Sequence, residues 1–146
     1  EKDLFNFFKE YVSKYKKPID QKKESVLLKS MGFLKNKAKT LEDIWNNAQY
    51  IINDKIEIGA DDKKLIDDFS KNVIKDFISE YEKLSTLSRE VLEPIIKSLI
   101  DKHKTNFKGV GQPLRIALVG SRFGPGLYDV ILSLEKSEVV KRLKQI

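Results

Sequence analysis

An all-α fold made of two small helical subdomains is predicted by three features of this sequence. Apolar residues recur at spacings of three and four almost from end to end. Residues that start and stop helices punctuate that pattern. The only extended candidates, Ile56 to Ile58 and Arg115 to Val119, are too few to make a parallel sheet. The glycine-bearing stretch from Thr105 to Gln112 reads as a connection, so the subdomains are expected at residues 1–104 and 105–146.

Taken in order, Leu4, Phe5, Phe8, Val12 and Tyr15 lie on one face of a first helix, which Pro18 stops. A second helix is expected from about Asp20 to Ala38, with Gly32 as its weak point. Thr40 followed three residues on by Asp43 resembles a capping box, in which a hydroxyl accepts an otherwise unpaired amide at the start of a helix. That helix carries Leu41, Ile44, Trp45, Ala48, Ile51 and Ile52, and core packing is the expected role of Trp45. Asp61 and Asp62 then open a long helix whose stripe runs from Leu65 through Phe69, Val73 and Phe77 to Leu84, because carboxylates suit the positive end of the helix dipole. Ser88 caps the next helix, from Arg89 to about Lys104, with Pro94 predicting a kink or a later start.

The chain from Gln112 onward supports two incompatible readings. In one, Arg115 to Val119 is a buried strand and Gly120, Gly124 and Gly126 cradle a phosphate. The spacing opposes it, since the glycines do not follow G-x-G-x-x-G, no G-K-[ST] is present, and Pro125 removes an amide the phosphate would need. In the other, Pro113 sits in the first turn of a short helix that Gly120 ends in a left-handed conformation. Pro125 starts another helix, and Ser137 caps a last one carrying Val139, Val140 and Leu143. The loop between the short helices then presents Arg115, Arg122 and the Gly124-Pro125-Gly126 backbone on one edge, an arrangement suited to unstacked bases.

Composition narrows the function. The chain has 146 residues, 40% hydrophobic and 34% charged, with 8 Phe, 5 Tyr and 1 Trp, too many large apolar groups for a disordered chain. With no cysteine and His103 as the sole histidine, disulfides, thiolate or two-histidine zinc sites and Cys-His nucleophiles are excluded, so no metal site and no catalytic residue is assigned. Apolar runs such as Ile116 to Val119 are far shorter than the roughly 20 residues of a membrane span, and no signal-peptide pattern opens the chain. A soluble, cytoplasmic, monomeric protein without membrane contact is expected. Residues 1–40 hold 11 basic against 5 acidic groups, residues 41–101 hold 8 against 14, and residues 102–146 hold 9 against 3. Two basic ends flank an acidic middle. If the ends meet, they form a face that attracts polyanions; otherwise the lysines are ordinary solvated surface. The four arginines carry more information, because a planar guanidinium can bind a base or phosphate at two points.

Pro113-Leu-Arg115-x-Ala-Leu-x-Gly120-Ser, then Gly124-Pro-Gly-Leu127, then Val139-x-x-Arg142-Leu143 resemble the C-terminal end of bacterial glutamyl-tRNA synthetases, class I enzymes, in their α-helical anticodon-binding region. Leu34-Lys-Asn-Lys37-Ala-Lys-Thr40-Leu-Glu-Asp-Ile resembles the segment that begins that region. The resemblance covers about Leu34 to Ile146, while residues 1–33 fit only as a helical lead-in. It implies that residues 1–104 lie toward the stem and that residues 105–146 read the anticodon. It further implies that Arg115, Pro125 and Leu127 occupy base-contacting positions, with Gly124 where a relative has threonine in that contact. Lys37 falls where the family often has an arginine reading the third base, and Lys97 lies near another basic contact.

Arg122 joins the set as a cation of the same loop. Lysine at 37 lacks the planar fork, which weakens or alters that discrimination. Glu135 stands where the family generally has glycine, so a strained left-handed cap or another way of ending the helix is expected. The implied partners are tRNA for glutamate, or also the glutamine acceptor, and the N-terminal catalytic domain of the same enzyme. That enzyme ligates glutamate to tRNA with ATP and Mg; this part holds neither and is not catalytic alone. A helical protein-interaction module without nucleic-acid affinity, and a nucleotide-binding α/β domain, are the alternatives.

Overall fold

The computed structural model describes residues 2–17, 19–36, 38–53 and 55–146. Among them are ten helices and no strand. The chain divides into two compact units, Glu1–Lys55 and Ile56–Ile146. The boundary expected at 104/105 instead falls inside the second unit, because the helices on either side of it pack on each other.

In the first unit, α1 (Lys2–Tyr15) buries Phe5, Phe8 and Val12, the three- and four-residue spacing that a single helical face requires. The Asp20 side chain caps α2 (Gln21–Leu34) by accepting the Lys22 amide at 3.0 Å, and Leu27, Met31 and Leu34 face inward. α2 ends four residues before the expected Ala38. Pro18 and Lys37 lie outside the described residues. The capping box at Thr40 and Asp43 forms in both directions, at 3.1 Å each way, and opens α3 (Leu41–Asn47). The single helix expected through Ile52 is broken at Ala48. The Gln49 side-chain amide donates to the Trp45 carbonyl at 2.9 Å, and α4 (Gln49–Ile52) follows. Trp45 is half-buried rather than central to the core, with the Lys16 ammonium 5.8 Å from its ring centroid.

The second unit contains α5 (Ala60–Lys63), α6 (Asp68–Glu82), α7 (Arg89–Lys102), α8 (Phe107–Val119), α9 (Leu127–Ser133) and α10 (Lys136–Lys144). Helix α8 packs against α6, α7, α9 and α10. A helix surrounded in this way must be apolar on most of its circumference, and Val110, Leu114, Ile116, Ala117 and Leu118 are all buried. The apolar run at 116–119 is therefore the last turn of a central helix and not a strand. Truncating Leu114, fully enclosed, would cost about 2–5 kcal/mol.

Several elements of the second unit differ from expectation, three of them for identifiable reasons. The long helix expected from Asp61 is interrupted between α5 and α6, because extended Asp67 accepts the Ser70 amide at 2.8 Å and starts a new helix, while Ser70 Oγ donates back to the Leu65 carbonyl at 3.1 Å. The Ser70 amide holds the Asp67 carboxyl below its ordinary pKa. α7 runs unbroken through Pro94, which is exposed and, as the sixth residue of the helix, gives up the amide bond to the Glu90 carbonyl. α8 begins six residues before Pro113, where the Asn106 side chain accepts the Gly109 amide at 2.9 Å.

Candidate nucleic-acid interface

α8 carries Arg115 toward its end, and Gly120 stops the helix with φ 89°. Only glycine suits this position, since a Cβ would also lie 2.6 Å from the Glu57 carbonyl oxygen. The chain then turns through residues 121–126, where Gly124 has φ 140°. This loop is tied down at three points. Arg115 Nη1 donates to the Arg122 carbonyl at 3.1 Å, the Phe123 amide donates to Ser121 Oγ at 3.0 Å, and Arg122 Nε lies 3.5 Å from Asp62 Oδ1. The Arg122 amide points at the same carboxylate oxygen, 3.4 Å away.

Between α8, this loop and Leu65 lies an open cleft of about 570 Å3, within the range of roughly 300–1,000 Å3 typical of ligand sites. Phe107, Lys108, Gly111 and Gln112 line one side together with Arg115, and Arg122 and Phe123 line the other. Arg115 is half-buried, and burial pushes its guanidinium pKa down. Its Nε is shielded from solvent and has no hydrogen-bond partner among the described residues. A shielded N–H without an acceptor carries a desolvation cost that the fold bears at Arg115. Large apolar groups are exposed at this site: Phe107 by 45% and Phe123 by 70%.

Charge is distributed unevenly around the second unit. Lys102 pairs with Asp76, Lys144 with Glu82, Arg142 with Glu138 and Arg122 with Asp62. Acidic groups of α5 and α6 thus answer several cations of the basic C-terminal segment. Lys108 and Arg115 line the cleft and no carboxylate pairs with either among the described residues, so they leave positive charge there.

The sequence of residues 4–146 matches the family model for the anticodon binding domain. The chain belongs to the anticodon-binding domain family. Its relatives include a glutamate–tRNA ligase of Pelagibacter ubique, 54% identical over 98% of this chain and 31% of that protein, and one of Syntrophus aciditrophicus, 34% identical over 77% of this chain and 24% of that protein. A solved glutamate tRNA ligase from Elizabethkingia meningosepticum shares the fold, with a TM-score of 0.79 and 21% identity over 99% of this chain and 28% of that one. This anticodon-binding domain therefore spans less than a third of the length of these relatives. The resemblance carried by Pro113 to Leu143 is borne out.

The domain brings some of the expected site residues together and separates others. Arg115 and Arg122 share the cleft, and Gly124 and Pro125 lie in the loop beside it, exposed and half-buried respectively. Leu127, expected to offer a packing surface to a base, is instead 2% exposed, its side chain directed into the core toward Gly111. Lys97 is exposed on α7 and does not line the cleft. Lys37 lies outside the described residues. Glu135 needs no left-handed cap: it has φ −66° and opens α10 directly after α9 has ended at Leu134 in an extended conformation. His103 is partly buried, with Nε2 2.8 Å from Asp76 Oδ2, and serves the join of α7 to α6. Phe107 and Phe123 went unnoticed in the sequence, Phe107 because it sat in an expected connection. The signal available was an aromatic residue beside glycines in a cationic segment.

Proposed function

We propose that this chain recognises the anticodon of a tRNA as the anticodon-binding part of a glutamate–tRNA ligase, with the second unit, residues 56–146, supplying the reading cleft. The observation that carries the proposal is the cleft itself: a half-buried guanidinium and a lysine beside two exposed rings, on a chain of the anticodon-binding family. Bases splayed from a hairpin loop expose edges with acceptors and faces that stack, and both kinds of group are met there. Arg115 donates to a base edge, Arg122 and Lys108 meet phosphates, and the Gly124-Pro125 backbone borders the entering strand.

In the complete enzyme, glutamate is ligated to tRNA with ATP and Mg on a separate catalytic domain, which is the second partner of this chain. Among the described residues no group of three or more His, Asp or Glu comes together to hold a metal ion, and no catalytic step is placed on them. No described helix is long and apolar enough to cross a membrane. Our reading is a cytoplasmic monomer that acts on the tRNA for glutamate, with the glutamine acceptor as a second substrate in a non-discriminating enzyme.

Titration with tRNA at two ionic strengths tests this. Affinity should fall as salt rises, with a log–log slope of about −0.7 for each single-stranded phosphate neutralised. Undetectable binding at low salt would leave a protein-interaction module as the reading.

A further inference from the structure

We infer that Phe123 is a stacking platform for one unpaired base of the anticodon loop, an assignment that rests on the anticodon reading above. The ring is 70% exposed, yet it is not loosely held. Its own amide is bonded to Ser121 Oγ, and the preceding residue is anchored through both its carbonyl, to Arg115, and its guanidinium, to Asp62. The Arg122 guanidinium carbon lies 5.1 Å from the Phe123 ring centroid, so a cation already sits on the ring. An exposed large ring on a fixed loop costs little entropy to engage, whereas a mobile one must first be ordered.

The groups beside it identify the ligand chemistry. Arg115 brings a half-buried guanidinium, Lys108 supplies positive charge that no carboxylate answers among the described residues, and Phe107 adds a second exposed ring in the same cleft. A ligand that offers a flat face, an acceptor edge and an anionic link at once is a nucleotide. A purely apolar peptide would leave Arg115 unanswered, and a free phosphate would leave the rings in water.

The test uses this chain with an RNA hairpin bearing the glutamate anticodon loop, and the same hairpin made abasic at each anticodon position in turn. Phe123→Ala should weaken binding to the intact hairpin roughly 5- to 100-fold, the range for a lost base–aromatic stack, while Phe123→Tyr stays within about twofold. The salt slope should not change, because no charge is removed. At one abasic position the wild type and Phe123→Ala should bind equally, and the circular dichroism of the variant should match the wild type. Equal binding of wild type and Phe123→Ala to the intact hairpin overturns the stacking assignment while leaving anticodon recognition in place. A loss that persists at every abasic position overturns it too, since the ring then acts on loop shape. If the wild type binds neither this hairpin nor tRNA at low salt, anticodon recognition fails and the assignment fails with it.

Discussion

Arg142 and Arg115 both bring a guanidinium against α8, one from α10 and the other from α8 itself, and they end in opposite states. Arg142 is 3% exposed, with Nε donating to Glu138 at 2.8 Å and Nη1 to the Leu118 carbonyl at 2.8 Å. Arg115 has one protein acceptor, the Arg122 carbonyl, and an Nε with none among the described residues. The first joins two helices with its polar contacts made within the fold; the second lines an open cleft and keeps one shielded N–H unpaired. The two arginines differ both in burial and in how fully their hydrogen bonds are made within the fold.

The largest expected effect tests the structural side. Arg142→Ala should destabilise the domain by about 3 kcal/mol in urea unfolding, since Leu118 loses a buried charge-assisted donor and Glu138 its partner. A loss below about 1 kcal/mol would show that water replaces the guanidinium and would erase the contrast. Next, Arg115→Ala should cost about 1–3 kcal/mol of discrimination between cognate and altered anticodons, with a change in stability under about 1 kcal/mol. Equal penalties on both anticodons would remove Arg115 from the reading set. Lys108→Ala sharpens the same point: binding should weaken alike for all anticodons, with the salt slope reduced by about one charge.

The smallest effect lies away from the cleft. Hydrogen bonds from Lys102, then from His103, hold the Asp76 carboxyl below its ordinary pKa despite some opposing desolvation. A carboxyl whose folded pKa is lowered stabilises the fold above its unfolded value, near 3.9, and loses that contribution as pH falls through the folded value. Asp76→Asn should therefore lower stability by about 1 kcal/mol at neutral pH, and the difference from wild type should fade below about pH 4. A difference that persists undiminished in acid would mean that Asp76 acts by packing instead of charge.

Local signals in the sequence were legible where neighbours a few residues apart settle the structure. Thr40 and Asp43 cap each other within one turn, and Gly120 ends α8 in a left-handed conformation at the expected place. Signals that depend on distant partners were not. Arg122 finds its carboxylate at Asp62, sixty residues earlier, where that aspartate had read only as a helix opener. Leu127 carries the same apolar character whether it meets a base or Gly111, and only the packing of α9 on α8 turns it inward. The glycines at 109 and 111 suggested a connection, yet the Asn106 cap and the contacts of α8 with its neighbours hold a helix there.

Periodicity, caps and breakers thus determined by themselves that the chain is helical, roughly where most helices start and stop, and that the stretch around Arg115 is the informative one. The three-dimensional arrangement decided the burial of individual residues such as Leu127 and Trp45, where the units divide, and which arginine keeps an unpaired N–H. The physical reason is range. Hydrogen bonds within a turn are settled by adjacent residues, whereas burial and charge pairing depend on groups that meet only when the whole core has closed.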